Sequence, residues 1–197
     1  MNTSVLEQVP NNDDVIAVTR AWLEQVVIGL NLCPFAEPVY RNQQIAYYVS
    51  QATDEAGLMD DLIEAIDTLM STDADEIDTA LLIHPRALQD FEIYNEFIGW
   101  AENFLAESGL EAMVQIASFH PDYRFAGTEA SDITNGTNRS PFPMLHLLRE
   151  ASVEAALTTL PEAAQLVERN LDTLRNLGQE GWETLVQRIH RTAKSRQ

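Results

Sequence analysis

Three short runs of apolar residues, each closed by polar or turn-forming residues, predict β-strands in the first 120 positions. They cover residues 45–50, 79–83 and about 112–119. Short runs that are rich in β-branched and aromatic side chains are typical of strands. Between them, residues 54–71 and 87–108 carry apolar side chains at the spacing of an amphipathic helix. The alternation of strands and helices favours parallel pairing through right-handed crossovers.

Helices are predicted on both sides of this unit. Before it, apolar residues recur at helical spacing over residues 13–30. After it, Pro141 suits the first turn of a helix and Ser140 suits its N-cap, so we predict a helix over residues 141–159. Two more helices are predicted further along the chain, over residues 161–177 and 182–190.

These elements predict an α/β fold. We expect a small, mostly parallel sheet of three to four strands flanked by helices, with a helical C-terminal half. The length of 197 residues suits one domain, since domains commonly contain about 100–200 residues. We assign this domain to residues 13–190, with an N-terminal tail at 1–12 and a C-terminal tail at 191–197.

The charge of the chain narrows the classes of partner. The net charge is −19, and residues 1–119 hold 21 acidic but only 3 basic side chains. Nucleic-acid backbones and anionic membranes require positive surface, so we expect neither as a partner. No apolar run approaches the roughly 20 residues of a membrane helix, and no signal-peptide pattern is present. The single cysteine excludes an internal disulfide, and we expect a cytoplasmic protein.

Two of the predicted strands end in the same dipeptide. The strand at 79–83 runs into His84 and a proline, and the strand at 112–119 runs into His120 and a proline. Parallel strands would bring both imidazoles to the carboxyl edge of the sheet, where open α/β sheets bind ligands. Histidine suits proton transfer near neutral pH. We therefore predict His84, His120 and Asp122 as catalytic residues.

The polar segment that follows suggests an anion-binding site. It delivers small polar residues and an arginine to the start of the predicted helix at 141–159, where free N–H groups attract anions. Helical spacing would place the next histidine and arginine on one face of that helix. The predicted substrate-binding residues are Asn135, Asn138, Arg139, Ser140, His146 and Arg149. The leading hypothesis is a hydrolase, a transferase or a binding protein for an anionic metabolite.

Two other classes of function stay open. Cys33, His84, His120 and His146 could hold a metal ion, although no CxxC or HExxH spacing accompanies them. The acidic stretch at 54–78 could instead serve a noncatalytic adaptor or regulator. The sequence specifies no cofactor and no oligomeric state.

Several long motifs resemble a known family. They are Gly29-Leu30-Asn31-Leu32-Cys33-Pro34-Phe35-Ala36, Leu82-Ile83-His84-Pro85, residues 115–125 (QIASFHPDYRF) and Thr137-Asn138-Arg139-Ser140-Pro141. Over residues 13–190 the chain resembles the bacterial family known as domain of unknown function 1415. The resemblance implies a small, cytosolic, single-domain bacterial protein. It implies no activity and no catalytic residues, so the chemistry must be argued from the residues themselves.

Overall fold

A four-stranded mixed sheet lies at the centre of the fold. The structure is a computed structural model, and it describes residues 11–159 and 165–194. The strands, in the spatial order β1-β2-β4-β3, are β1 (Ile45–Val49), β2 (Thr79–Ile83), β3 (Val114–Phe119) and β4 (Met144–Arg149). β1 and β2 are parallel, whereas β4 is antiparallel to both of its neighbours. The predicted α/β class is confirmed, and the expectation of a mostly parallel sheet is wrong.

The fourth strand replaces the first half of the helix predicted at residues 141–159. β4 lies between β2 and β3, and an apolar core covers each of its faces. Leu145 and Leu147 belong to the apolar core on one side, and Met144 belongs to the core on the other. A strand buried on both faces loses the alternation of apolar and polar residues. Only the second half of the predicted helix forms, as α5 (Glu150–Thr159).

Apart from a short helix over Ala36–Arg41, which is not among the predicted elements, the other helices follow the predicted pattern closely. Asp54 and Asp90 cap two of them by accepting hydrogen bonds from backbone N–H groups of the first turn. The helices are α1 (Asn12–Trp22), which continues as a π-helical turn over Leu23–Ile28, α2 (Ala36–Arg41), α3 (Glu55–Ser71), α4 (Phe91–Glu107) and α6 (Leu166–Lys194). A break at Gly178, with φ of 67°, separates the two helices predicted after residue 160.

Parts of the predicted tails, and the start of the helix predicted at 161–177, lie outside the described residues. The predicted tails overlap helices at two points, because α1 begins at Asn12 and α6 continues to Lys194. In the described part of the chain, no helix combines the length and the apolar character needed to cross a membrane.

The sheet divides the interior into two apolar cores. α3 and α4 pack on one face, around Leu62, Phe97 and Leu145. α1 and the second half of α6 pack on the other face, around Trp22, Leu81 and Ile189. We refer to these as the α3/α4 face and the α1/α6 face.

Candidate functional site

The structure brings His84 and His120 together, as the sequence predicts. β2 and β3 both run antiparallel to β4, so they point in the same direction and end at the same edge of the sheet. Both imidazole rings contact Tyr94 of α4, at centroid distances of 5.7 Å for His84 and 5.0 Å for His120. The two histidines are 0% and 1% exposed. The two rings are therefore buried side chains that pack around Tyr94 on the α3/α4 face.

Hydrogen bonds fix the protonation of each ring. His84 Nδ1 lies 3.1 Å from the carbonyl oxygen of Ala87, so this nitrogen carries the proton and donates it. Nδ1 of His120 accepts a 3.0 Å hydrogen bond from the backbone N–H of Asp122. Its Nε2 therefore carries the proton and donates to the carbonyl oxygen of Leu88 at 3.2 Å. Both imidazoles are neutral and hold residues 84–88 in place.

Burial reinforces the neutral state of these rings. Desolvation lowers the pKa of His84 to about 4 and also lowers the pKa of His120. Nε2 of His84 is a buried acceptor without a hydrogen-bond partner among the described residues. The carboxylate of Asp122 is exposed; it acts electrostatically on His120, and only its backbone N–H contacts the ring. The three predicted catalytic residues are thus neighbours, and their catalytic role remains a prediction.

Tyr94 joins the histidines to the strands. Its hydroxyl donates to the carbonyl oxygen of Met144 and accepts from the N–H of Phe119, both at 2.9 Å. These two residues are partners across β3 and β4, so the hydroxyl is inserted between the strands where they end. Phe91 adds a second aromatic ring beside His120, at a centroid distance of 5.5 Å.

Arg139 lies at the same edge of the sheet, but it lines a cavity on the α1/α6 face. Its Nε and Nη2 donate to the carbonyl oxygens of Tyr123 and Ala130, at 3.3 and 2.6 Å. No carboxylate of the described residues comes within ion-pairing distance, 4.0 Å, of its guanidinium. Asp122 and Asp132 are near enough to favour its charge, while burial lowers its pKa.

A cavity of about 280 Å³ lies beside Arg139. Its walls combine two indole rings with aliphatic side chains, and its polar members are an arginine, a serine and a histidine. The lining residues are Trp22, Val26, Pro121, Arg139, Ser140, Pro141, Trp182, Val186, Ile189 and His190. Trp22 Nε1 donates to the carbonyl oxygen of Arg139 at 3.0 Å, which fixes the arginine backbone against α1.

The other small polar residues of the predicted anion site bind the loop that carries them. Asn135 accepts hydrogen bonds from Phe125 N and Thr128 Oγ1, and it donates to the carbonyl oxygen of Glu129. Asn138 donates to the carbonyl oxygen of Ser118. Ser140 donates its hydroxyl hydrogen to the carbonyl oxygen of Phe142. It is therefore not a helix N-cap, since a strand follows it instead of a helix.

His146 and Arg149 lie away from Arg139, which corrects the predicted helical face. His146 Nε2 is 2.7 Å from Thr79 Oγ1, whose own hydrogen is donated to the carbonyl oxygen of Leu147. Burial lowers the pKa of His146 to about 4. Its ring lies 6.2 Å from that of Phe119, on the α1/α6 face of the sheet. His84 and His120 pack on the opposite face.

Arg149 is at the far end of β4, about 17 Å from Met144 at about 3.4 Å per residue. Its guanidinium donates to the carbonyl oxygens of Leu69 and Thr72 at the end of α3, and to that of Ile77. Three backbone acceptors thus occupy this cation. It holds the end of α3 against the sheet and is too distant to share an anion with Arg139.

Cys33 does not join the histidines. Its thiol lies next to the N–H groups of Phe35 and Ala36, yet burial dominates and raises its pKa. The sequence places this cysteine after a helix, whereas in the structure it also directly precedes α2. Within residues 11–159 and 165–194, no group of three His, Cys, Asp or Glu side chains is arranged to hold a metal ion. The predicted set of Cys33, His84, His120 and His146 is not assembled.

Sequence reasoning misses the cavity walls and the role of Tyr94. Trp22 and Trp182 occupy apolar positions of their helices, and nothing in that spacing distinguishes a cavity wall from solid core. His190 lies 51 residues beyond Arg139 in the numbering of the chain, so only the fold brings the two to one cavity.

Comparison with known proteins adds a family but no activity. Searches of the curated proteins and of the solved structures gave no significant match. A family model described as "Protein of unknown function (DUF1415)" matches residues 14–184. This match confirms the resemblance carried by the sequence motifs, and because it covers most of the chain, the protein belongs to the DUF1415 family.

Proposed function

We propose that this protein binds a small anionic molecule with an apolar body in the cavity beside Arg139. The observation that carries the proposal is a half-buried cation on which two carboxylates, Asp122 and Asp132, act only from beyond ion-pairing distance. Arg139 is half-buried and has no carboxylate within ion-pairing distance in the described residues, in a chain whose net charge is −19. A half-buried guanidinium without an ion-pair partner is costly unless an anion completes the site.

The guanidinium is already oriented for such a ligand. Two of its nitrogens are bound to the carbonyl oxygens of Tyr123 and Ala130. Its Nη1 makes no hydrogen bond to any described residue. A carboxylate or phosphate at this position would receive charge-assisted hydrogen bonds, which are about twice as strong as neutral ones. The arginine side chain is ordered before binding, which lowers the entropic cost of capture.

The cavity walls indicate the rest of the ligand. Trp22, Trp182, Val26 and Ile189 give it an apolar surface. The volume of about 280 Å³ is just below the range of about 300–1,000 Å³ that is usual for ligand pockets. The indole N–H of Trp22 is already donated to the carbonyl oxygen of Arg139. The best match is therefore a small molecule with one acidic group and one ring or short chain.

The geometry favours binding over turnover. His84 and His120 contact Tyr94 on the α3/α4 face, whereas the cavity opens between α1 and α6. Of the four histidines, His190 alone lines the cavity. A hydrolase or transferase at this site would need His190 or a group of the ligand to move protons, because the two buried imidazoles are committed to backbone carbonyls.

The test compares charged and neutral ligands of one shape. Benzoate and benzamide are titrated by calorimetry and thermal shift, with butyrate as an aliphatic acid. At 100 times the dissociation constant, binding stabilises by about 2.7 kcal/mol, or roughly 5–10 °C for a chain of this size. We expect a shift with at least one acid and none with benzamide. Arg139→Gln should abolish it, while Arg41→Gln, an exposed arginine paired with Glu37, should not.

A second variant guards against loss of the loop that Arg139 supports. Val186→Trp fills the cavity and leaves the arginine untouched, so it should remove binding while circular dichroism still reports a folded chain. Equal affinity for benzoate and benzamide, or full binding by Val186→Trp, would overturn the proposal. Absence of binding by every acid in wild type would do the same.

A further inference from the structure

β1 is an edge strand whose outward backbone groups pair with no other strand of the described residues. It pairs with β2 on one side, and in the described residues no strand pairs with it on the other. Gln44 and Ser50 direct their backbone groups towards β2, since Gln44 O accepts from Asp78 N and Ser50 N donates to Ile83 O. Backbone groups alternate in direction along a strand, so those of Ile45, Tyr47 and Val49 point away from the sheet. One of them has a partner, because the exposed side chain of Gln51 donates to the carbonyl oxygen of Val49 at 3.3 Å, and an added strand would replace that donor. Such an edge is a template for another strand.

A groove of about 540 Å³ runs along this edge on the α3/α4 face. Its lining includes the consecutive residues 47–52 of the edge and one side of α3. The side chains that α3 contributes include Asp60, Asp61 and Glu64, and no lysine or arginine lines the groove. Ser50 donates its hydroxyl hydrogen to Asp61 at 2.5 Å, which orients this carboxylate beside the strand. The groove therefore combines free backbone groups with a row of negative charge.

The opposite side of the same edge has a different character. A cavity of about 500 Å³ is lined there by two arginines, Arg20 and Arg41, together with Tyr40, Gln43 and Tyr47. The Arg20 guanidinium lies 4.9 Å from the centre of the Tyr47 ring. Side chains of an added strand would alternate between these two sides. Every second side chain would meet carboxylates, and those between would meet aromatic rings and arginines.

We propose that β1 receives an extended, basic segment of a partner protein as a fifth strand. The segment would place lysine or arginine at alternate positions towards Asp60, Asp61 and Glu64, with neutral or apolar residues between them. Backbone hydrogen bonds to Tyr47 and Val49 would supply affinity, and the alternating side chains would supply selectivity, as in other cases of strand addition. This inference does not depend on the cavity beside Arg139.

Charge argues against the other occupants of this edge. A second copy of the chain would bring its own net charge of −19 and a second set of groove carboxylates against the first. Residues 1–10 of the same chain contain one glutamate and no lysine or arginine. A basic segment alone meets both the unpaired backbone and the row of carboxylates.

The experiment uses the full chain and synthetic octapeptides. One peptide alternates lysine with valine, a second alternates glutamate with valine, and a third repeats the lysine peptide with N-methyl groups on alternate amides facing β1. We expect the lysine peptide to bind and to protect the amides of Tyr47 and Val49 from hydrogen exchange. The glutamate peptide should not bind, and N-methylation should abolish binding because the backbone hydrogen bonds are lost.

Matched variants separate the groove from general acidity. The variant Asp60→Asn, Asp61→Asn, Glu64→Gln should weaken the lysine peptide by about tenfold, since three partly exposed ion pairs are lost. The control Asp73→Asn, Asp75→Asn, Glu76→Gln removes the same charge from the loop after α3 and should leave affinity within about twofold.

Three kinds of result would overturn the proposal. The first is failure of the lysine peptide to bind, or binding that survives N-methylation. The second is equal weakening by both triple variants. The third is protection of Tyr47 and Val49 without peptide, which would assign the edge to a second copy if it depends on concentration and to residues 1–10 if their deletion removes it. Benzoate binding tests the other site independently.

Discussion

Acidification should destabilise the protein through His84 before most of its carboxylates are protonated. Burial lowers the pKa of His84 to about 4, against 6.5 ordinarily, so the unfolded chain binds a proton at pH values where the folded chain does not. Stability from this group is complete above pH 6.5 and declines as the pH falls towards 4. At 1.36 kcal/mol for each pKa unit, the full effect is about 3 kcal/mol. Between pH 7 and pH 5 it is about 2 kcal/mol.

The assay is urea unfolding of wild type and His84→Asn at pH 7 and pH 5, followed by tryptophan fluorescence. Asparagine retains an N–H that can donate to the carbonyl oxygen of Ala87, and it does not titrate. Its side chain is smaller than the ring that packs on Tyr94, so the variant should be less stable at both pH values. The carboxylates and the other two buried histidines, His120 and His146, contribute almost equally to the pH dependence of both chains. The difference between the two pH dependences therefore isolates the imidazole.

We expect wild type to lose about 2 kcal/mol more than His84→Asn between pH 7 and pH 5. Equal losses in the two chains would refute the reasoning, because they would mean that the folded state admits a proton to His84. In that case Nε2 of His84 would be reached by water, or by a carboxylate of the protein, when the protein is in solution.

Three further predictions test the framework around the sites. Tyr94→Phe removes the hydroxyl that joins Phe119 to β4 and should lower the free energy of unfolding in urea by about 2 kcal/mol, with faster hydrogen exchange at the Phe119 amide. Arg149→Met leaves three carbonyl oxygens near α3 without their donor and should cost about 2–3 kcal/mol in the same measurement. Gly99→Ala and Gly109→Ala should change the free energy of unfolding in opposite directions. An added Cβ meets no atom within 4 Å at either position, so only the backbone conformation decides the sign. The helical position should gain about 0.5–1 kcal/mol, and the position with φ of 70° should lose about 1 kcal/mol.

The sequence predicts the elements whose two faces differ. α3 and α4 bury one side and expose the other, with buried residues at a spacing of three or four, and aspartates cap them. Periodicity and capping residues therefore identify these helices. β4 is different because both of its faces are covered. Its run from Met144 to Leu148 shows no clear alternation of apolar and polar residues. Pro141, three residues before the strand, is also a residue type that is typical of the first turn of a helix. The mixed sheet follows from this one element, and no local signal specifies where β4 inserts.

The candidate sites divide in the same way. His84 and His120 are predicted as neighbours because each follows the last residue of a strand and the two strands point in one direction. The two histidines are close in the structure although β4 lies between these strands. Arg139 is predicted as part of an anion-binding site, and this role stays a prediction; no carboxylate of the described residues lies within ion-pairing distance of its guanidinium. The separation of Arg139 from Arg149 could not be predicted, because it depends on the six residues of β4 being extended instead of helical. A helix starting at residue 141 would have spanned only about 12 Å up to Arg149, at 1.5 Å per residue.

The central position of β4 has a consequence for the order in which the chain folds. β4 is the last strand to leave the ribosome, yet it joins β2 to β3. Until residue 149 is available, the β1–β2 pair and β3 have no strand to connect them. The five residues of β2, mostly apolar and all buried in the folded protein, then have one unpaired edge. Exposed apolar edges of this kind promote aggregation. Truncation before Met144 should therefore yield an insoluble fragment, and folding of the intact chain should wait for one late, long-range insertion, which slows it relative to a chain with local contacts.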